Sequence, residues 1–489
     1  MKRPVSAGAA GALCAACACA LLGACAVGPD YRAPAEAAPP AFAAQGAFDA
    51  AQPPLAWWRL FADPDLTALV ERAAGGGNPD LRAAQARIRV ARARLAQAGA
   101  AYEPSVSLDG QLSRDRYSRN SELFANIPFP HPQVQFTDYR AGFDASWEID
   151  LFGHTGREVE AAQARLGGAQ ADERDLRIVV AAEVAKDYIE LRLAREQVRL
   201  AQADADTLAQ IDRLVRLRRG AGDASDLEVE RAAADLQAQR AALDAAQAQA
   251  GATLDALAVA AGVTPQQAAD LVAQERSVPA VAAGSISVGL PSELLRRRPD
   301  VRRAERDLAS ATADIGAATA DLYPRFQLVG NFGADSIHPG QFGAEASRVW
   351  SLGPQLYLPV FGRDRLTAEV RAREAARDAA VAGYEKSVLA ALADAESAMI
   401  GFDRARERAD ALDAAWREQQ SVAALVRLQS AAGRSSAIEL LQAEHQARLA
   451  QEEATGASAA RATGLVALYK ALGGGWDESK ADIRQSGSR

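Results

Sequence analysis

Four stretches of this chain alternate apolar and polar residues, and in each the two faces are complete. In the first, Val106, Leu108, Gly110 and Leu112 face one way, and Ser107, Asp109, Gln111 and Ser113 the other. In the second, Tyr139, Ala141, Phe143, Ala145, Trp147 and Ile149 oppose Arg140, Asp144, Ser146, Glu148 and Asp150. The third sets Phe326, Leu328, Phe332 and Ala334 against Arg325, Gln327, Asn331 and Asp335. The fourth sets Trp350, Leu352, Leu356, Leu358 and Val360 against Ser351, Gln355 and Tyr357. A period of two is the signature of a β-strand. Each run is about 10 residues or slightly longer, which is what a tilted strand needs to cross a bilayer. Two hairpins on a water-soluble domain would also alternate. Here one face carries full charges and must meet water, while the other is wholly apolar, and lipid outside with water inside satisfies both. The expected strands are 105–117, 134–151, 325–335 and 347–360.

The rest of the chain reads as helix. No proline lies between Pro132 and Pro265, and none follows Pro359. Across Thr155–Arg219 the apolar residues Val159, Leu166, Leu176, Val180, Val184 and Ile189 recur mostly at multiples of three and four, with charges between them. A continuous helix of about 65 residues is about 100 Å long. No globular domain has room for it, so a coiled-coil-like rod or tube is expected. It stops at Arg219-Gly220-Ala221-Gly222, where glycine permits the left-handed turn that ends helices. A return helix is expected over 225–261, and a second such pair over 363–432 and 436–472. Shorter helices precede each strand pair: Asn78-Pro79-Asp80-Leu81 opens one and Tyr102-Glu103-Pro104 closes it, while Arg298-Pro299-Asp300-Val301 opens the other, over 299–322, and Leu322-Tyr323-Pro324 closes it.

The chain therefore reads as two internal repeats of one unit: short helix, strand, strand, long helix, turn, return helix. They occupy 57–262 and 298–472, joined by a linker over 263–297 and followed by a tail over 473–489. Each repeat leaves its second strand through Phe-Gly, at Phe152-Gly153 and at Phe361-Gly362, about 210 residues apart. Four strands cannot close a barrel, for which about eight are the minimum. Bare strand edges cannot face lipid either, since each unpaired backbone group there costs several kcal/mol. The chain must oligomerise, and the two Phe-Gly sites are where a shared membrane barrel becomes a helical tube.

The N-terminus is a targeting segment. Lys2 and Arg3 precede a small-residue apolar run from Ala7 to Ala24, so 1–24 reads as a signal peptide. Leu22-Gly23-Ala24-Cys25 resembles the bacterial lipobox, in which the cysteine is lipidated and becomes the first residue. All four cysteines, Cys14, Cys17, Cys19 and Cys25, lie here, so the mature chain keeps only a blocked thiol and has no disulfide framework. Ala26 follows, and the resemblance to lipoprotein sorting signals implies delivery to the outer membrane, since an Asp there usually marks inner-membrane retention. Residues 25–56, rich in Ala and Pro, read as a lipidated extended tether. The 489 residues carry a formal charge of −8 with no isolated basic cluster, which argues against nucleic acid as a partner.

Several motifs add a resemblance. Val27-Gly28-Pro29-Asp30-Tyr31, Trp57-Trp58-Arg59-Leu60-Phe61 and Asp63-Pro64-Asp65-Leu66 look like the start of the outer-membrane efflux lipoproteins. LPSELLRRRPDVRRAERDLASATADIGAATADLYP, from Leu290 to Pro324, is close to that family's signature. The match covers nearly the whole mature chain, which resembles a TolC-like outer-membrane factor of the OprM/NodT type. The resemblance implies a homotrimer whose 12-stranded β-barrel continues into a long periplasmic α-helical barrel. It implies the exit duct of a tripartite pump, with a periplasmic adaptor and an inner-membrane transporter of the RND type. The chain would sit in the outer membrane of a Gram-negative bacterium, in contact with its lipid and with most of its length in the periplasm. The number three comes from the resemblance; the strand count alone says more than one.

The candidate site is the far end of the tube, at the two helical turns. The family closes its periplasmic mouth there by polar contacts, and adaptors dock on the same tips. The residues at issue are Arg216, Arg218, Arg219, Gly222, Asp223 and Asp226 in the first turn, and Arg427, Gln429, Gly433 and Arg434 in the second. Arg218 matches the family's usual arginine, whereas Gln429 and Ser430 stand where an Arg-Tyr pair is common. Asp226 with Arg427 or Arg434 is the expected lock. No catalytic constellation or cofactor motif stands in a supporting context, and the His-Pro pairs at His131 and His338 read as loop residues. A structural coiled-coil envelope lipoprotein is the alternative; it accounts for the signal, the lipid and the rods but not for four amphipathic strands.

Overall fold

The computed structural model describes residues 26–35, 38–44, 46–118, 120, 134–281 and 284–475. The signal peptide, Cys25, the loop with His131 and the end of the tail lie outside the described residues. In chain order the elements are β1 (Phe48–Asp49), a short 3₁₀ turn at Trp57–Phe61, α1 (Pro64–Arg72), α2 (Pro79–Ala100), β2 (Ser105–Arg116), β3 (Gln135–Ile149), α3 (His154–Gly220) and α4 (Asp226–Ala261). There follow α5 (Pro265–Leu271), β4 (Ile286–Ser287), α6 (Pro291–Arg297), α7 (Pro299–Ala320), β5 (Arg325–Ser336), β6 (Arg348–Tyr357), α8 (Arg363–Ala431) and α9 (Ala437–Ala471). Among the described residues no helix is long and apolar enough to cross a membrane.

The expected strands and long helices are present within a few residues of their predicted bounds. The largest difference is the fourth strand, which stops at Tyr357. Pro359 has no N–H to give to a ladder, so Leu358 and Val360 lie beyond the sheet.

Contacts divide the chain into two compact units, each assembled from three separate stretches. Among the described residues the first takes in those from 26 to 34, 89 to 168 and 305 to 383, and the second those from 35 to 88, 169 to 304 and 384 to 475. The first unit is built on a four-stranded antiparallel sheet in the order β2-β3-β5-β6. The second is built on a helical core. Trp57, Leu66 and Leu81 from the N-terminal stretch are fully buried there against Val184, Tyr188, Leu257 and Tyr469. The Trp57 ring stacks on Tyr469 at 6.0 Å between centroids. Each such side chain contributes about 1.5–3 kcal/mol by leaving water.

The segment expected as a tether is extended but fastened along its length. In the first unit, Val27 N–H donates to Phe152 O, Tyr31 Oη donates to Glu305, and Asp30 pairs with Arg157 at 2.7 Å. In the second, Ala43 N–H donates to Glu396, and β1 pairs in parallel with β4. The linker over 263–297 is likewise more than a connector, since it carries α5, β4 and α6. Thr264 caps α5 with a reciprocal Gln267 contact, and Pro265 and Pro291 occupy first turns, where their missing N–H costs nothing.

Candidate functional site

The sheet of the first unit sorts its side chains without exception along its central row. Leu108 lies opposite Phe143, Phe143 opposite Phe332, and Phe332 opposite Trp350. Residues directly opposite project to the same face. That face is bare: the four side chains are 69%, 52%, 58% and 74% exposed. Val106, Leu112, Leu352 and Leu356 extend it and are exposed as well. The opposite face carries Asp109, Gln111, Arg140, Asp144, Asn331 and Asp335 around a hollow of about 660 Å³. Arg140 and Asp335 are opposite each other and pair at 2.8 Å. Gly142 and Gly333 form one rung of this polar face, and a Cβ on Gly333 would come within 2.5 Å of the Ala141 carbonyl. The backbones therefore meet where only glycine fits. A sheet apolar and exposed on one side and charged on the other has the pattern that a wall between lipid and water requires.

The two exits from the wall share a backbone but not an environment. Gly153 and Gly362 have φ of 82° and 78°. At the first exit Phe152 stacks on Tyr323 at 4.8 Å, and Asp150 accepts the Gly156 N–H at 2.9 Å, capping the start of α3. A Cβ added to Gly153 would lie 3.1 Å from Ala26, so the N-terminal stretch passes close over this turn. At the second exit Phe361 is 93% exposed. The matching Phe-Gly sequences hide this difference, because it is made by Asp150 and Tyr323, whose partners lie in different elements.

The tip turns are twins in backbone. In the first, Asp223 N–H donates to Arg218 O and Gly222 N–H to Arg219 O; in the second, Arg434 N–H donates to Gln429 O and Gly433 N–H to Ser430 O. Both are Schellman caps, and both put glycine where φ is positive, at 85° and 72°. Three residues later Ser225 and Ser436 each form a capping box, with Glu228 and Glu439. The backbone N–H of Ser225 holds Glu228 below its ordinary pKa, and the Ser435 hydroxyl does the same for Glu439.

Side chains distinguish the turns. Arg216 is tied to Asp212 at 2.9 Å, and Arg218 donates to the Asp223 carbonyl at 2.8 Å. Arg219 grips Asp226 with two bonds, at 2.6 and 3.2 Å, and lowers its carboxyl pKa. Arg427 pairs with Glu444 at 2.6 Å. Within one chain Asp226 is thus joined to Arg219 rather than to Arg427 or Arg434, because Arg219 faces it across the turn. Arg434 makes no ion pair among the described residues. Gln429 enters through its backbone carbonyl. Leu217, Leu227, Leu425 and Leu428 around these charges are exposed.

Known proteins place this arrangement. The family model described as outer membrane efflux protein matches residues 72–263 and 290–474. The pyoverdine export outer membrane protein OpmQ of Pseudomonas aeruginosa is 32% identical over 470 residues, covering 95% of this chain and 97% of that protein. The outer membrane protein OprJ of the same species is 30% identical over 479 residues, with 96% of each covered. The solved outer-membrane channel OprN superposes with a TM-score of 0.82 at 34% identity, over 92% of this chain and all of that one. The Campylobacter jejuni CmeC channel shares the fold, with a TM-score of 0.84 at 20% identity over 95% of this chain and 98% of its own.

Proposed function

The chain belongs to the outer membrane efflux protein family, and from that premise we propose that three copies make one duct, each lending its four strands to a closed 12-stranded barrel. The protein is a TolC-like channel of the outer membrane of Gram-negative bacteria and serves as the exit duct of an efflux pump. The observation that carries this is the β2-β3-β5-β6 register, which gathers Leu108, Phe143, Phe332 and Trp350 on one face and Asp109, Arg140, Asp144, Asn331 and Asp335 on the other. A coiled-coil spacer has no use for such a sheet.

The finer reading follows from the same parts. Within one chain β2 and β6 each have one paired edge, and an unpaired edge in lipid is costly, so the edges seek those of neighbouring copies. The chain is two repeats of one unit, and its α3–α4 and α8–α9 hairpins line a periplasmic helical barrel. The two tip turns form the gate and the docking site for a periplasmic adaptor, which links the duct to an inner-membrane transporter of the RND type. Cys25 carries lipid beside the barrel. The exits at Phe152-Gly153 and Phe361-Gly362 mark the join of barrel and helices.

The test is to purify the full-length protein from outer membranes and measure native mass and planar-bilayer conductance. An oligomer of three chains that dissociates on boiling and gives stepwise conductance is expected. A folded monomer without conductance would overturn the reading. Labelled palmitate should enter the wild type and not Cys25→Ser; equal labelling would remove the lipid from the proposal.

A further inference from the structure

The contact between the two helical hairpins of one chain changes character along its length. On α9, Ile438, Leu441, His445 and Arg448 follow at steps of three, four and three residues, the core spacing of a coiled coil. On α3, Asp204, Leu208, Ile211 and Val215 follow at four, three and four. Nearest the tip the contact is apolar, with Ile211 and Val215 in one cluster with Ile438 and Leu441. One heptad further from the tip it is charged. Asp204, only 3% exposed, holds the core position equivalent to Ile211. Its Oδ1 accepts from His445 Nδ1 at 2.9 Å and from Arg448 Nε. Arg448 Nη2 also donates to Thr207 Oγ1, which donates in turn to the Ala203 carbonyl. Burial pushes the Asp204 carboxyl up, and the two donors outweigh it and bring the group below its ordinary range. The carboxylate is buried, charged and satisfied.

The other copy of this layer lacks the charges. Matching the twin turns at Gly222 and Gly433 gives an offset of 211 (433 − 222). Asp204 then corresponds to Ala415, His445 to Ala234 and Arg448 to Gln237. The acid exists only in the first hairpin and the bases only in the second. In a ring of hairpins with the same turn, each could take a neighbour of its own kind. Setting α3 against α4 of another copy would bury Asp204 facing Ala234 and Gln237. Setting α9 against α8 of another copy would bury His445 and Arg448 facing Ala415. Either arrangement leaves a charge in the contact with no counter-charge at the facing core position, which costs more than the matched layer.

We propose that Asp204, His445 and Arg448 are a sorting layer, by which a first hairpin accepts only a second hairpin against α3 and in one axial register. The partner it selects is a hairpin of this same protein that presents two bases at successive core positions. The layer's discriminating role rests on the ring proposed above.

The test uses the full-length chain with Leu208→Cys and Leu441→Cys, both in the apolar cluster beside the layer. Oxidation should link them within one chain. Asp204→Ala strands the part-buried Arg448 and should lower the yield of boil-sensitive oligomer at least about tenfold. Exchanging the charges, with Asp204→Arg and Arg448→Asp together, should restore most of it. An apolar layer, with Asp204→Leu, His445→Leu and Arg448→Leu, should still fold and assemble, but the 208–441 link should move in part to bands of two or more chains. That redistribution is what a merely stabilising role does not produce. If the apolar layer keeps the link within one chain and the exchange does no better than either single reversal, the inference fails while the ring stands. A wild-type monomer overturns both.

Discussion

Phe143 stands directly opposite Phe332 where the two halves of the sequence meet in one sheet, and both rings point away from the charged face into open surroundings. Beside each, one residue along the strand, Asp144 and Asn331 pair on the other face. In the proposed barrel adjacent positions face different solvents, and substitutions should separate them. Arginine at Leu108 or Phe143 should cost about 2–4 kcal/mol near the midplane of the bilayer and reduce the yield of assembled channel. Arginine at Ser107 or Asp144 should leave the yield nearly intact and change single-channel conductance. Equal losses in the two sets would show that the faces are assigned wrongly.

The tip charges should act as one gate with small parts. Asp226→Ala with Arg434→Ala is expected to raise resting conductance and to sensitise cells to large antibiotics such as vancomycin. Arg219→Ala should resemble Asp226→Ala, and the double variant should add little, because both remove the same pair. Raised salt should reproduce part of the effect, since exposed charges are screened beyond about 10 Å at roughly 0.1 M. Unchanged conductance in every variant would mean that the mouth is shut by apolar or backbone contacts.

The twin turns should respond alike to backbone changes. Alanine at Gly222 or Gly433 forces a Cβ into the left-handed region and should cost about 1–2 kcal/mol at each turn. Ser225→Ala and Ser436→Ala should cost about 1 kcal/mol each. Hydrogen exchange in the first turns of α4 and α9 should accelerate about fivefold in the serine variants, with β2 and β3 unaffected. A large difference between the two turns would show that something other than the shared cap holds one of them.

Asp187 on α3 gives a pH dependence with a definite sign. Burial raises its carboxyl from 3.8 to about 6, Lys186 opposes the rise, and Glu190 and Glu183 assist it. Below the unfolded value both states are protonated and the site is at its most favourable. As pH climbs through the folded value the carboxylate must form where it is poorly hydrated, and stability is lost. Asp187→Asn should raise the thermal midpoint at pH 7.5 and do little at pH 4. An increase of equal size at both would exclude ionisation as the cause.

Much of the molecule was legible because its elements are long. Period-two runs such as Tyr139–Ile149 and the proline-free stretches announce strands and helices by repetition, and Gly222 and Gly433 announce the turns. What stayed hidden depends on neighbours rather than on spacing. The β1–β4 ladder joins two strands of two residues each, Phe48–Asp49 and Ile286–Ser287, too short to show a period. Arg219 reaches Asp226 seven residues on by crossing a turn, which no helical spacing rule anticipates. His445 and Arg448 keep heptad register, but a search for apolar periodicity passes over them. Phe361 and Phe152 read as equivalents until Tyr323 is seen to cover only one.

The ladder between β3 and β5 also sets a timetable. The two strands are partners over Tyr139–Ile149 and Phe326–Ser336, yet about 175 residues of synthesis separate them. A nascent chain exported from its N-terminus presents the β2–β3 hairpin, greasy on one side and with an open edge, long before the strand that covers that edge has been translated. Through this interval the hairpin's open edge has to be kept from pairing with other strands. A product that stalls anywhere before Tyr357 cannot complete its sheet.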